Sequence, residues 1–325
     1  MAFARSIFVA LGAASTLISV VPSSAQDSYP SRPVKVVVAL PAGGSVDMVA
    51  RLVSQQLAAD LGQPFVVDNK AGASGQIGTP LVSRAAPDGY TIMVSPASFL
   101  TTNRSIFKTL PYNPETDFAP VTKLVNQAMV LVVRDKARFG TAADVLAAAK
   151  ANPGKLTYAS SGDGSPQHLA GLMFESRTGA RLMHIPYKGG APAITDLMGG
   201  VVDMVFAPLP EALPHIKAGK LHPVGVLSEK RSASAPDIPT LREGGVDNVV
   251  LSAWIGLLAP AKTPQPILDR LDKSAKTLLR GDAKAKLLEV GMEPAADEAT
   301  PLGQVIAEET RLHADLVKAA GLVPQ

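Results

Sequence analysis

The chain has 325 residues, no cysteine, only 5% aromatic residues, and 31 basic against 28 acidic side chains for a net charge of +3. Without cysteine there is no disulfide framework, no thiol-linked lipid and little basis for a zinc site; without a basic stripe or stacking faces there is no case for a nucleic-acid partner. Once an N-terminal segment is set aside, about 300 residues are too many for one ordinary domain and suit two.

Residues 1–25 read as an export signal. Arg5 is the early charge, Ile7 to Val21 is the apolar stretch, and Ser23-x-Ala25 supplies small residues before a cut after Ala25. The stretch falls short of the roughly 20 residues a membrane span needs, and no later segment is apolar for long enough. The expected destination is the periplasm, with a mature chain whose stability rests on its core.

From there strand-length apolar runs alternate with helical patterns. Strands are predicted at Val34 to Leu40, Phe65 to Asp68, Thr91 to Val94, Met129 to Val133, Leu156 to Ala159, Leu182 to Ile185, Val202 to Phe206, Pro223 to Leu227 and Val250 to Leu258. Helices are predicted at Val46 to Leu61, Ile77 to Ala86, Ala142 to Ala151, Pro166 to Arg177, Ala191 to Met198 and Leu209 to Ala218, and the stretch from Pro264 onward reads as purely helical. Thr141 with Asp144 has capping-box spacing, while Thr263-Pro264 and Thr300-Pro301 place a cap before a proline. Such alternation predicts an α/β fold of mainly parallel sheets flanked by helices.

Two halves are visible in the alternation. Each has a strand that feeds a Gly/Ser-rich loop and then a helix: Pro41-Ala-Gly-Gly-Ser45 in the first, Ser160-Ser-Gly-Asp-Gly-Ser165 in the second. Backbone N–H groups in such loops, at a helix N-terminus, suit an anion, and ligands of open parallel sheets sit beyond the carboxyl ends of the strands. Two such edges facing one another would form a cleft. The expected division is residues 26–126 plus 252–325 in one lobe and 127–251 in the other, the chain crossing near Asn126 and Ser252.

At these loops a family resemblance becomes specific. Tyr29-Pro-Ser-Arg-Pro33, Pro41-x-Gly-Gly-Ser-x-Asp47, Leu61-Gly-Gln-Pro64, Asp68-Asn-Lys-x-Gly-Ala73, Pro87-Asp-Gly-Tyr90 and Asp117-Phe-Ala-Pro120 occur in the order found in the Bug-type receptors of tripartite tricarboxylate transporters. Asn152-Pro-Gly-Lys155, His168-Leu-Ala-Gly171, Pro186-Tyr-Lys-Gly189, Leu213-Pro-His-Ile-Lys-Ala-Gly-Lys220 and Gly256-Leu-Leu-Ala-Pro260 continue it, so the resemblance covers essentially the whole mature chain. It implies a two-lobed, type II periplasmic-binding-protein fold, its chain crossing twice between lobes. Such a monomer would close on a small carboxylate and present it to membrane permease subunits, with no cofactor and no metal.

The resemblance places the first carboxylate grip on the backbone of Ala42, Gly43 and Gly44, which the freedom of glycine supports. Asp47 reads either as a contact to a ligand ammonium or as a carboxylate capping the first helical turn. Ser160, Ser161, Gly164 and Ser165 offer hydroxyls and N–H groups from the second loop, and His168 either donates to ligand or satisfies a loop carbonyl. Tyr187 reads as a flat wall or as lobe packing, Asp203 as a pocket or hinge residue, and Ser95 and Ser98 as contacts or turn formers. The competing class is an exported hydrolase or lyase using Ser165, His168 and Asp203. No Gly-x-Ser-x-Gly elbow, P-loop or dinucleotide fingerprint supports other chemistry.

Overall fold

The computed structural model describes residues 29–324 apart from 282, 320 and 323; the expected signal, residues 1–25, lies outside them. The strands are β1 (Val34–Val38), β2 (Phe65–Asn69), β3 (Thr91–Pro96), β4 (Phe118–Val133), β5 (Thr157–Ser160), β6 (Met183–Pro186), β7 (Met204–Pro208), β8 (His222–Val226), β9 (Ser252–Pro260) and β10 (Met292–Pro294). The helices are α1 (Ser45–Leu61), α2 (Thr79–Ser83), α3 (Ser98–Thr101), α4 (Asn103–Ile106), α5 (Ala142–Ala151), α6 (Pro166–Thr178), α7 (Gly190–Gly199), α8 (Leu209–Lys217), α9 (Gln265–Arg280), α10 (Ala283–Glu289) and α11 (Leu302–Ala319).

The sheet runs β2-β1-β3-β9-β4-β7-β5-β6, with β8 and β10 also paired to β4. Its flanks are parallel: β1 with β2 and β3, β5 with β6 and β7. Its centre is antiparallel, because β4 pairs with β9 through its first half and with β7 and β8 through its second. Thus β4 and β9 are the two places where the chain passes between halves.

Both faces of each flank are covered, which is why the strands read as unbroken apolar runs. Val36 and Val38 of β1 point into a core shared with α1 and α9, while Val37 points the other way, against Met93, Leu258 and the Leu302–Ile306 turns of α11. In the second half Leu131 and Phe206 pack with α5 and α6, and Val130 and Val205 with α7 and α8. Helix α11 serves both halves, since Leu316 and Val317 near its end join the core of α6.

Several elements differ from the sequence expectation. The first half of β4 holds Pro120, Lys123 and Asn126 and has no apolar run of its own; pairing with β9, across two register shifts, makes it a strand. Helix α2 is shorter than predicted, since a 3-10 turn at Ala73–Gly75 takes up the preceding chain. The tail is not purely helical: β10 adds to β4 at Gln127, Asn126 and Val125. Thr263 does not cap α9, because its hydroxyl donates to the Pro260 carbonyl at 2.8 Å. The capping box at Thr141 and Asp144 is present in both directions.

One contact in the second half tests how tightly it is packed. Gly171 of α6 lies flush on the ring of fully buried Tyr158, where an added Cβ would come within 2.2 Å of the ring. Alanine improves helix propensity by about 1 kcal/mol, but overpacking typically costs about 1–3 kcal/mol, and so severe a clash should win. Gly171→Ala is therefore expected to lower the free energy of unfolding in urea by about 1–2 kcal/mol. An unchanged midpoint would mean that Tyr158 has room to move.

Candidate functional site

The loops that leave the carboxyl ends of β1, β3, β5 and β7 converge on one cleft of about 320 Å³. Leu40, Ser45, Val46, Ser98 and Asn103 line it from the first half, and Ser161, Ser165, Gln167 and Glu211 from the second. Its floor is made by Gln127 of β4, Ala253 and Trp254 of β9, and His313 of α11. Among the described residues no lysine or arginine lines it.

The first loop is held rigid from behind. Gly43 has φ +87°, a left-handed conformation that favours glycine, and its N–H donates to Asp47 Oδ2 at 2.9 Å. Arg51 Nε donates to the same oxygen at 2.9 Å and Asn69 Nδ2 to Oδ1 at 3.0 Å. The hydrogen bond from Arg51, helped by those from Gly43 and Asn69, holds the Asp47 carboxyl below its ordinary range. Asp47 is thus an anchor of the turn, not a cleft residue. Gly43 and Gly44 line an adjoining cavity with Pro210, Leu213 and Lys217, and Ala42 stands exposed. The cleft instead receives Ser45 and Val46 at the start of α1, whose N-terminus no side chain caps.

The second loop is wired differently. Ser161 Oγ donates to Gln167 Oε1 at 2.7 Å, and Gln167 Nε2 donates to Glu211 Oε2 at 3.3 Å. Ser165 caps α6, its hydroxyl accepting the His168 N–H at 3.3 Å. The Gly164 N–H donates to His168 Nδ1 at 3.0 Å, so His168 braces the loop from a buried position. Gly164 (φ +71°) also lets the halves touch, because a Cβ there would strike Ile106 Cγ1 of α4 at 2.6 Å. The His168 ring lies parallel to His184 at 3.9 Å; burial, then the neighbouring imidazole, pushes its pKa down to about 4, leaving it neutral.

Asp163, His168 and His184 bring possible ligand atoms within 4.8 Å of one another, a proximity that sequence spacing gave no sign of. The two rings are stacked, and His168 Nδ1 already accepts the Gly164 N–H.

Other expected positions turn away from the cleft. Ser160 is fully buried and pairs with His184 Nε2 at 2.6 Å, and Ser95 Oγ donates to the Pro96 carbonyl at 3.1 Å. Tyr187 donates its hydroxyl to Asp196 Oδ2 at 2.7 Å. Asp203 accepts from the Thr157 N–H and hydroxyl at 2.8 and 2.9 Å and from Arg138 at 2.8 Å. Asp203 therefore fastens β7 to β5. Ser165, His168 and Asp203 form no proton relay, as each is engaged with a different backbone or side-chain partner.

The sequence model of the tripartite tricarboxylate transporter family receptor matches residues 49–322. The chain belongs to that receptor family. Protein BugT of Bordetella pertussis is 36% identical over 297 residues, 91% of each chain. The R. palustris protein Rpa4515, solved with adipate, superposes with a TM-score of 0.81 at 33% identity over 91% of this chain and 100% of that one. MatC from Rhodopseudomonas palustris, solved with bound malate, gives 0.77 at 30% identity over 89% and 100%. With these relatives the two-lobed periplasmic-binding-protein fold of the receptor is established.

Of the residues singled out from the sequence, Ser98, Ser161, Gly164 and Ser165 line this cleft, and Gln127, Gln167, Glu211, Trp254 and His313 line it without having been singled out. Glu211 could have been found, because it follows the carboxyl end of β7, the same rule that picked out the Ser160 to Ser165 loop. Gln127 and His313 carry no such signal, lying in a crossing strand and a distant helix.

Glu211 is exposed at the cleft yet crowded by protein, and desolvation raises its pKa to about 7 despite the donor from Gln167. The ionised form is therefore less favourable folded than unfolded. That penalty is absent below the ordinary value of 4.5, grows through the interval and is complete above about 7. Glu211→Gln should thus stabilise the receptor more at pH 8 than at pH 5. Melting temperatures of parent and variant across that range check it, and a pH-independent difference would refute the shift.

Proposed function

We propose that this chain is a periplasmic receptor that captures a small carboxylate in the cleft between its halves and hands it, unchanged, to the permease subunits of a tripartite transporter. The observation that carries this reading is the cleft itself: two helix-start loops, one from each half, face a common cavity among whose described lining residues there is no cation. Main-chain N–H groups and hydroxyls are then the available partners for an anion. The uncapped start of α1 adds its dipole from one side, and Ser161 and Ser165 offer hydroxyls from the other.

Such a ligand gains its second set of contacts only when the halves approach, so it favours the closed arrangement. With two charge-assisted hydrogen bonds at each end, of roughly 1.5–3 kcal/mol apiece, and the costs of ordering and association subtracted, affinity falls on the order of micromolar. Residues 26–126 with 252–325 and residues 127–251 serve as the two moving bodies, with β4 and β9 as the hinge. Export through the N-terminal segment and action as a monomer complete the proposal. The relatives solved with adipate and with malate make dicarboxylates the first candidates.

A thermal-shift screen of the mature chain against organic acids, followed by titration calorimetry, tests it. A true ligand at a hundred times its dissociation constant should stabilise the fold by about 2.7 kcal/mol. The ligand should be recovered intact after long incubation. Indifference to every carboxylate, or conversion of one into product, would defeat the proposal.

A further inference from the structure

The aromatic part of the cleft floor is held from behind by a side chain that does not line the cavity. Trp254 of β9 lines the cleft yet is only 1% exposed, and it packs among Val37, Met93, Leu258, Leu302 and Ile306. Its indole N–H donates to Glu309 Oε2 of α11 at 2.8 Å. The far edge of the ring has no slack, since a Cβ added at Gly256 would come within 3.0 Å of Trp254 Cζ3.

This bond is one link in a closed circuit. The Trp254 carbonyl accepts the Ala97 N–H at 2.9 Å, and the Ala97 carbonyl accepts the Thr101 hydroxyl at 3.0 Å. Having donated there, the Thr101 oxygen can only accept from His313 Nδ1–H, which lies 3.1 Å away. His313 stands four residues after Glu309, one turn further along the same face of α11, so the circuit returns to its start. Trp254, Ala97 and His313 line the cleft, whereas Glu309 and Thr101 stand behind it. One turn of α11 thereby sets the crossing strand β9 and the start of α3 against each other.

We propose that Glu309 is a positioning residue of the cleft: through the indole N–H it fixes the ring of Trp254 as the floor against which a ligand is held. This role rests on the carboxylate-receptor reading above for its ligand, and it adds a determinant of affinity that lies outside the cavity. An apolar residue in place of Glu309 would strand a buried donor among aliphatic side chains, a costlier state than losing both partners together. The indole then turns toward the cleft or draws water under it, and either change spoils the floor. A neutral acceptor should serve as well as the acid. Burial, with Glu298 and Glu308 adding to it, outweighs the Trp254 donor and Lys123 and raises the Glu309 pKa to about 7, so protonated and ionised forms coexist near neutrality, and each leaves an oxygen to accept the indole N–H.

Trp254 is the one tryptophan of the chain, so a proton–nitrogen NMR spectrum of the isotope-labelled mature receptor contains a single indole N–H signal. Its exchange with deuterated solvent should be slow in the unaltered receptor and in Glu309→Gln, and at least tenfold faster in Glu309→Leu. Calorimetric titration with adipate and with malate should show affinity at least tenfold weaker in Glu309→Leu and restored to within threefold in Glu309→Gln. In a Trp254→Phe background, which has no indole N–H, Glu309→Leu should change affinity less than twofold; a general loss of packing would weaken both backgrounds alike and overturn the proposal. Fast indole exchange in the unaltered receptor overturns it even if the leucine variant does not fold, and so does a leucine variant with fast exchange and unchanged affinity. Failure of both acids to bind the unaltered receptor counts against the carboxylate reading instead, and the ligand-free exchange rates still decide whether Glu309 holds the ring.

Discussion

The pairing of β4 with β9 is the constraint on which the rest of the molecule depends. These two antiparallel strands join the parallel flanks of the sheet, and they are the points where the chain leaves one half and returns. A sheet needs every interior N–H and C=O paired, so β4, long enough to serve β9 and β10 with one half and β7 and β8 with the other, fixes the two halves to a common axis. The floor of the cleft is made from the same strands, through Gln127, Ala253 and Trp254. Helix α11, packed on both cores, closes the back of this joint.

Above that floor the loops are held rigid by side chains bonded to their own backbone. Asp47 gathers Gly43, Arg51 and Asn69 behind the first loop, while His168 and Ser165 tie down the second. Such outer bonding lowers the cost of binding, because the N–H groups are already oriented when an anion arrives. The absence of a lysine or arginine among the described lining residues fits the same economy: a fixed array of dipoles needs no reorganisation and carries no charge that must be desolvated in the empty state. Two carboxyls, Asp163 and Glu211, also line the cleft, and burial disfavours the ionised form of Glu211.

The strand and helix pattern was legible from the chain because burial on both faces leaves apolar runs that local composition reveals. Helices α1, α5 and α6 start or stop within a residue or two of their predicted bounds for this reason, and α5 carries its predicted capping box. The turns were legible too, since Gly43 and Gly164 take conformations that favour glycine. The roles of neighbouring residues were less so. Tyr187 and Asp203 sit beside loop motifs in the sequence, but the structure directs them to Asp196 and to Thr157 and Arg138.

What the sequence determined by itself was the alternation of elements, the two Gly/Ser-rich loops at strand ends and the family to which they belong, all of which are local in the chain. Tertiary structure alone decided that Phe118 to Val133 is one strand, that β10 completes it, and that Gln127, Glu211 and His313 share a cavity with Ser45 and Ser165. The physical reason is distance along the chain. A turn or an amphipathic face is set by residues a few positions apart, whereas Thr102 meets His313 across 211 positions, and only the closing of the whole sheet brings such groups together.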